Sequence, residues 1–145
     1  MTMRKVTIDD VHHIALNTVS DERGVLTIVD EESDLPFAMR RIFSVAGVGA
    51  NDARGHHAHK LLNQVLVCIN GMVTVTVDDG ERQREFALSA KTGGLHIPPG
   101  IWSQQTYKDP GSALIVCCDR SYEEDDYIRD YEAYKLWNSR ENGRP

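Results

Sequence analysis

Short runs of apolar residues, separated by turn residues, follow one another along most of the chain. In residues 72–77, Val73, Val75 and Val77 alternate with threonines, and this period of two predicts a strand that is buried on one face. Similar β-branched or alternating runs predict further strands at residues 25–29, 41–45, 61–69, 85–88, 95–97 and 113–118. Many short strands joined by close turns indicate an all-β sandwich or barrel.

Turn residues mark the connections between the predicted central strands. Asn70-Gly71 has the composition of a two-residue hairpin turn, and residues 78–80, Asp-Asp-Gly, mark the next reversal of the chain. Residues 98–100, Pro-Pro-Gly, interrupt the strand pattern ahead of Trp102. We therefore expect short, closely connected strands.

The C-terminal tail has a different pattern. Tyr127, Tyr131 and Tyr134 lie at helical spacing, and Ser121 and Glu124 have the spacing of a capping box. We expect residues 121–145 to form a short helix or an ordered arm.

With 145 residues, the chain has the length of one domain with a real core, so we expect residues 1–145 to form a single domain that carries this arm.

The charge of the chain limits its partners. The formal net charge is -6 at pH 7, whereas a surface that binds nucleic acid is normally basic. We therefore expect no nucleic-acid partner. An anionic ligand must be held by a few local arginine or lysine side chains.

Apolar segments and cysteines bear on the location of the protein. The chain has no apolar run of about 18 residues, so we expect no membrane span, and residues 1–10 lack the apolar centre of a signal peptide. Cys68, Cys117 and Cys118 lie in apolar, strand-like runs, which is typical of reduced core thiols. These features predict a cytoplasmic protein whose function needs no thiol.

The candidate chemistry lies in residues 54–59, Arg-Gly-His-His-Ala-His. In an extended strand, residues two apart face the same way, so His57 and His59 are expected to point into one cavity. Two imidazoles on one face can hold a metal ion, or they can transfer protons, because the pKa of histidine is about 6.5. The plain alternative is a strand that faces solvent and whose histidines have no function.

The order of these motifs resembles the cupin superfamily, whose small double-stranded β-helix (jelly-roll) barrels often carry a metal ion. In that pattern a glutamate follows the second histidine, and a third histidine follows the Pro-x-Gly turn. Here Gln64, or Asn63 at the shorter spacing, stands in the glutamate place and Ser103 in the place of the third histidine. Two imidazoles with an amide and a hydroxyl form a poor site for a divalent ion. We expect no metal and no cofactor.

Longer motifs extend the resemblance. The most specific are Arg54-Gly55-x-His57-Ala58-His59-Lys60 and Asp126-Tyr127-Ile128-Arg129-x-Tyr131. These motifs look like the sugar 3,4-ketoisomerases that act on dTDP-4-keto-6-deoxyglucose, and the match runs from about residue 21 to 134. The resemblance implies a metal-free cupin homodimer that exchanges strands and moves a carbonyl between C4 and C3 of a dTDP-linked 6-deoxyhexose. The product would feed the synthesis of amino sugars for surface glycans such as lipopolysaccharide O-antigen.

The resemblance also assigns roles to the two histidines. His57 is expected to serve the carbon-bound proton, as the similar histidine does in the related sugar 3,5-epimerases, and His59 to relay protons between the two oxygens. Only a neutral imidazole can accept a proton, so activity is expected to fall on an acidic limb between about pH 5 and pH 7.5.

Three arginines are candidate ligands for phosphate, because guanidinium groups bind phosphate oxygens in a bidentate manner. Arg54, next to the histidines, and Arg23, in an Asp-x-Arg-Gly turn, are expected to hold the pyrophosphate. Arg41 is a third phosphate or sugar contact, or a strand residue that faces solvent. The alternative for Arg23 and Arg54 is an exposed turn residue.

Three further residues are candidate contacts for the sugar. Gln64 can hydrogen-bond sugar hydroxyls or orient a histidine, or it can be a buried, satisfied amide. Trp102 can stack beside the ligand or fill the barrel mouth. The place of Ser103 lies near the sugar in the ketoisomerases, which carry histidine or arginine there, and Phe43 also departs from their pattern. The configuration of the product at C4, gluco or galacto, therefore stays open.

Three other functions fit parts of this pattern. A sugar-nucleotide 3,5-epimerase would use the same loop and histidine, but the Asp-Tyr-Ile-Arg segment is typical of the ketoisomerases. A non-catalytic cupin that binds dTDP-sugars would retain Arg23 and Arg54 without turnover. A metal-dependent cupin enzyme is the third alternative.

Overall fold

The computed structural model describes residues 5–141, whose regular structure is mainly β-strand. The strands, in chain order, are β1 (His12–Ile14), β2 (Asn17–Asp21), β3 (Gly24–Ile28), β4 (Arg41–Val45), β5 (Asp52–His59), β6 (Gln64–Asn70), β7 (Met72–Asp78), β8 (Gln83–Ser89), β9 (Gly94–Ile97), β10 (Trp102–Tyr107), β11 (Ala113–Cys118) and β12 (Tyr127–Ile128). The helices are α1 (Glu31–Asp34) and α2 (Tyr131–Glu141), and there are short 3-10 helices at Ile8–Asp10 and Glu124–Asp126.

Two five-stranded antiparallel sheets carry the fold. Their strand orders are β1-β9-β6-β11-β4 and β12-β5-β10-β7-β8, and β2 and β3 form a separate two-stranded sheet. From β4 to β12, every step along the chain except that from β7 to β8 passes from one large sheet to the other. This is the jelly-roll arrangement of a cupin barrel, and it confirms the predicted all-β class with a short C-terminal helix.

The core fills the space between the two sheets. Val73, Val75 and Val77 are fully buried, as their alternation with threonine predicts. They pack against Leu66 and Leu114 of the facing sheet. All three cysteines are buried free thiols in apolar strands, which confirms their prediction as core residues.

One predicted turn has a different role from the one expected. Asn70-Gly71 does link β6 to β7, but the two strands belong to different sheets and do not pair. Gly71 has a φ of 71°, a left-handed conformation that suits glycine. The Ser112 hydroxyl accepts from the Met72 N–H and donates to the Met72 carbonyl. The turn therefore carries the chain from sheet to sheet, and the predicted hairpin is wrong there. The reversal at residues 78–80 does join a paired hairpin, β7 and β8.

One predicted strand is shorter than expected, and several strands, among them β1, β2 and β10, were not predicted. The run predicted at residues 61–69 forms a strand only from Gln64, because the backbone N–H groups of Leu61 and Leu62 donate to the Asp126 carboxylate instead of a neighbouring strand. Strand β10 was not predicted from the pattern, because its sequence, Trp-Ser-Gln-Gln-Thr-Tyr, has no apolar alternation.

The C-terminal tail is an arm of mixed structure. Tyr127 pairs with His59 in a strand contact and so lies outside the helix, which begins at Tyr131. The predicted capping box is wrong, since Glu124 receives hydrogen bonds from Arg129 and not from a helix end. The Tyr134 hydroxyl lies 2.8 Å from the Gly100 carbonyl and donates to it. The arm is thereby fixed against the β5 end of its sheet.

Candidate active site

A cavity of about 260 Å³ lies between the two sheets. Its polar lining is Arg54, His57, His59, Gln64, Gln105, Tyr107, Tyr127 and Arg129, and its apolar lining is Phe43, Val45, Gly55, Leu66, Leu114 and Val116. The cavity is smaller than most sites for drug-sized ligands, about 300–1,000 Å³. Its size suits a sugar ring, with any larger group extending outside.

His57 and His59 lie together on the cavity side of β5. The centroids of their rings are 4.9 Å apart and the rings are nearly perpendicular. The spacing of two residues on a strand produces this arrangement, and the prediction that both imidazoles face one cavity is confirmed. His59 is only 5% exposed.

Burial holds the His57 imidazole in its neutral form. Burial first, and then the nearby His59, lower the pKa of His57 from its usual 6.5 to about 4. The Nδ1 atom of His57 is buried without a hydrogen-bond partner. At neutral pH His57 is therefore an uncharged and weakly basic group.

His59 has a partner that His57 lacks. Its Nδ1 lies 3.0 Å from Oδ2 of Asp126, and the two residues are 67 positions apart in the chain. Burial lowers the pKa of His59, while the hydrogen bond and the charge of Asp126 act in the opposite direction. Asp126 is 7% exposed. The two imidazoles thus differ in their surroundings although they share one face.

The C-terminal arm completes the wall beside the histidines. The ring of Tyr127 lies 5.0 Å from the His57 ring and 4.3 Å from the His59 ring. The Arg129 guanidinium lies 4.2 Å from the Tyr127 ring centre, and both its Nε and its Nη2 donate to Glu124. This arm brings a cation and a phenol to the cavity.

Four of the predicted ligand contacts lie at or beside the cavity. Arg54 and Gln64 line it. Arg41 lies next to it, with its guanidinium against the rings of Phe43 and Tyr122 and with its Nε buried and unpaired. Ser103 is 1% exposed and opposite His57 on the neighbouring strand, and its hydroxyl accepts from the Gln105 amide.

The other two predicted contacts lie elsewhere in the chain. Trp102 packs against Tyr131 and Tyr134, so it is a packing residue under α2 and does not line the cavity. Arg23 is at the turn between β2 and β3, where its exposed guanidinium pairs with Asp21. Arg23 does not line the cavity.

Sequence reasoning assigned no role to several residues at the site. Gln105 and Tyr107 were missed because β10 has no recognisable pattern. Tyr127, Arg129 and Asp126 stood in a quoted motif, but no spacing along the chain connects Asp126 with His59. The pairing of β12 with β5 brings them together, and only the folded structure reveals that pairing.

The side chains at the cavity are poor ligands for a metal ion, although cupins often carry one. Gln64 and Ser103 supply neutral oxygens, and one nitrogen of His59 is occupied by Asp126. Within residues 5–141, no three or more side chains of His, Cys, Asp or Glu are grouped to hold an ion. These donors do not fit a divalent cation.

The remaining histidines are apart from the cavity: His12, His13 and His56 are exposed and His96 lies 2.9 Å from the Asn63 amide oxygen.

Known proteins are similar to this chain over most of their length. The TDP-4-oxo-6-deoxy-alpha-D-glucose-3,4-oxoisomerase of Aneurinibacillus thermoaerophilus is 33% identical over 129 residues, which are 89% of this chain and 93% of that protein. The sugar 3,4-ketoisomerase QdtA of Thermoanaerobacterium thermosaccharolyticum, solved with TDP, is 30% identical with a TM-score of 0.85 and covers 93% of this chain and 98% of its own.

A mutant of QdtA solved with TDP-4-keto-6-deoxyglucose has a TM-score of 0.84 and 30% identity, over 90% of this chain and 95% of that one. These similarities confirm the resemblance drawn from the histidine and Asp-Tyr-Ile-Arg motifs. The family model described as FdtA: WxcM-like, C-terminal matches residues 9–139. Since that range includes both sheets, the cavity and the arm, the chain belongs to the FdtA family of WxcM-like, C-terminal domains.

Proposed function

We propose that this protein is a nucleotide-sugar 3,4-ketoisomerase, which converts dTDP-4-keto-6-deoxyglucose to a dTDP-3-keto-6-deoxyhexose. The observation that carries the proposal is a half-buried and a buried imidazole, His57 and His59, 4.9 Å apart at one wall of a sugar-sized cavity. Its relatives of known activity act on this class of substrate. The reaction moves one proton between carbons and one between oxygens, so it needs two groups that can accept and return protons.

The first step breaks the C3–H bond. The C4 ketone acidifies this hydrogen, and the neutral His57 accepts the proton. The electrons of the C3–H bond form a C3=C4 double bond, while the carbonyl electrons move to O4. Arg129 lines the same cavity, and its positive charge stabilises the negative charge on O4.

The second step returns both protons to new positions. His59 accepts the proton of the C3 hydroxyl and delivers it to O4. The electrons on O3 form the C3 carbonyl, and the double-bond electrons take the proton back from His57 at C4. Each histidine ends neutral, and no atom or electron is left over. A His57 imidazolium with a low pKa gives up its proton readily.

The nucleotide extends beyond the cavity, because a volume of about 260 Å³ holds little more than the sugar. Arg54 and Arg41 are the candidate pyrophosphate ligands at this end of the barrel, and Gln64 and Ser103 are candidates for hydrogen bonds at the sugar. In a chain of net charge -6, these local cations give the site its affinity for an anion.

A homodimer with exchanged strands accounts for the exposed apolar surface of the separate hairpin. Val19 and Leu26 of β2 and β3 are 56% and 59% exposed, and a lone two-stranded sheet is marginally stable. Strand β4 is the edge of its sheet and carries the exposed Ile42. We propose that each hairpin pairs with the β4 edge of a second copy, which covers both apolar surfaces.

This dimer also gives Arg23 a place in the site. Phe43 and Val45 of β4 line the cavity, so a hairpin docked on that edge lies beside the cavity mouth. Arg23 is at the tip of the hairpin. The proposal is that Arg23 binds the pyrophosphate in the cavity of the partner subunit.

The cellular setting is a further part of the proposal. No helix within residues 5–141 has both the length and the apolar character that a membrane crossing requires. The three buried free thiols are typical of a reducing compartment, which supports a cytoplasmic location. The 3-keto product is the substrate class that an aminotransferase accepts, consistent with a role in making amino sugars for surface glycans such as O-antigen.

The position of the carbonyl in the product tests the proposed reaction. With dTDP-4-keto-6-deoxyglucose in deuterated water, NMR is expected to show a carbonyl at C3, with deuterium at C4 in those molecules for which the proton on His57 exchanged with solvent before its return. Replacing His57 or His59 by Asn should lower kcat by about 10²-fold or more in a protein that still folds, while His56→Asn, an exposed neighbour, should keep full activity. Label at C3 and C5 with the carbonyl still at C4 would identify a 3,5-epimerase, and binding without turnover would identify a non-catalytic protein.

The pH dependence of kcat/KM tests whether the neutral imidazole of His57 is the catalytically active form. Because burial lowers its pKa to about 4, kcat/KM should stay flat from about pH 7 to pH 5 and fall about tenfold per pH unit below the pKa. The acidic limb of the kcat/KM profile therefore lies below the range of about pH 5 to 7.5 that is expected for a histidine with an ordinary pKa.

The pH experiment needs a control that shows whether the protein is still folded at each pH. The pKa of His57 is lower in the folded than in the unfolded protein. As the pH falls below the pKa of the unfolded state, the free energy of unfolding of the protein decreases by up to about 1.4 kcal/mol per pH unit. Tryptophan fluorescence at each pH should therefore accompany the rates. A midpoint near pH 6.5 in protein that is still folded would contradict the assignment of a buried, shifted base.

Complementation between variants tests whether Arg23 acts on the partner subunit. Co-expressed His57→Asn and Arg23→Ala chains form heterodimers with one intact site, so the mixture should recover about a quarter of wild-type kcat/KM. Leu26→Asp in both chains should abolish the recovery and give a mass near the 16.3 kDa of one chain by light scattering. The matched control is Leu136→Asp, another exposed leucine. Activity equal to the mean of the two separate variants would show that Arg23 does not act across subunits.

A further inference from the structure

Asp126 is buried behind the cavity wall and does not line the cavity, yet it contacts His59. We propose that Asp126 is a positioning residue that holds His59 in the tautomer with hydrogen on Nδ1, so that His59 relays the proton between O3 and O4 through Nε2 alone. This inference rests on the proposed ketoisomerase function and assigns a specific part of it to a residue outside the cavity.

The Asp126 carboxylate is fixed from several sides. The Leu61 N–H donates to its Oδ1 at 2.6 Å, and the Leu62 N–H donates to its Oδ2 at 3.3 Å. The backbone carbonyl of Asp126 accepts from the Lys60 N–H at 3.0 Å. With its backbone and both oxygens bound, the carboxylate cannot rotate away from His59. The loop at residues 60–62 is therefore shaped around Asp126.

The direction of the hydrogen bond follows from the chemistry of the two groups. A carboxylate accepts hydrogen bonds, so the hydrogen between Asp126 and His59 is on the imidazole Nδ1. In a neutral imidazole the other nitrogen then has a free lone pair. Nε2 of His59 is thus the atom available to the sugar. One nitrogen is sufficient to pass a proton between two neighbouring oxygens, because it accepts from one and donates to the other.

The same carboxylate stabilises the intermediate of the relay. After taking the proton of the C3 hydroxyl, His59 is an imidazolium, with the cations Arg41 and Arg129 near enough to oppose its charge. Asp126 at 3.0 Å compensates that charge. His57 has no such partner. The two histidines are therefore specialised, with His59 built for the oxygen-to-oxygen transfer.

Asparagine at position 126 reverses the arrangement without a change in size. Its amide NH₂ donates to Nδ1 of His59, so that the hydrogen moves to Nε2 and the lone pair no longer faces the sugar. The equivalent Asp→Asn change in a Ser-His-Asp triad lowers kcat about 10⁴-fold. Asp126→Asn is therefore expected to separate the two proton transfers, because His57 is unaffected.

Deuterium exchange measures the two transfers in one sample. With dTDP-4-keto-6-deoxyglucose in deuterated water, Asp126→Asn should form the 3-keto product at least about 100-fold more slowly than wild type, while exchange at C3 of the recovered substrate falls less than tenfold. His59→Asn should behave in the same way. Asp125→Asn, a change of the adjacent exposed carboxylate, is the matched control and should match wild type. Equal loss of exchange and product formation, or product formation near the wild-type rate, would overturn the proposal.

The tautomer is measured directly on the free protein by ¹⁵N NMR of the histidine rings. Wild-type His59 should have a protonated Nδ1 and an unprotonated Nε2, and Asp126→Asn should reverse them. An Nε2–H tautomer in the wild type would overturn the proposal even if the variant did not fold. This measurement needs no substrate, so it separates a wrong role for Asp126 from a wrong reaction: a wild type inactive on the sugar with the expected tautomer would refute only the proposed function.

Discussion

His57 and His59 share one face of β5, and the low polarity of their surroundings determines what the site can do chemically. An imidazole that is to accept a proton from a weakly acidic carbon or hydroxyl must be neutral, and the low-polarity surroundings disfavour its charged form. The apolar wall of Leu66, Leu114 and Val116 supplies those surroundings from the facing sheet. The core of the barrel and the chemistry of the site therefore have the same physical origin, which is the packing of two sheets around β5.

The C-terminal arm turns two similar histidines into two different groups. Asp126 holds one ring nitrogen of His59, whereas the equivalent atom of His57 has no partner. The arm in turn is held by buried contacts far from the sugar, such as the bond of Tyr134 to Gly100. Packing of α2 thus affects the site through Asp126 and Tyr127, although no residue of α2 lines the cavity.

The sequence predicted those features that depend on local periodicity. The alternation of Val73, Val75 and Val77 fixed the buried face of β7, and the His-x-His spacing placed both imidazoles in one cavity. Features that depend on distant contacts were not predictable in this way. Asp126 is 67 residues from His59, and β10 uses polar residues because its inner face forms part of a polar cavity. Asn70-Gly71 has hairpin composition, but whether its two strands pair or separate is decided by the sheets on either side.

In the proposed mechanism, both imidazoles act on the C3–C4 edge of one sugar. A crystal structure of His57→Asn with dTDP-4-keto-6-deoxyglucose tests it most directly, since the substitution prevents turnover. We expect residue 57 to lie against the C3 hydrogen, with O3 and O4 both about 3 Å from Nε2 of His59. A sugar whose C3–C4 edge is turned away from β5, toward Phe43 and Val45, would contradict it.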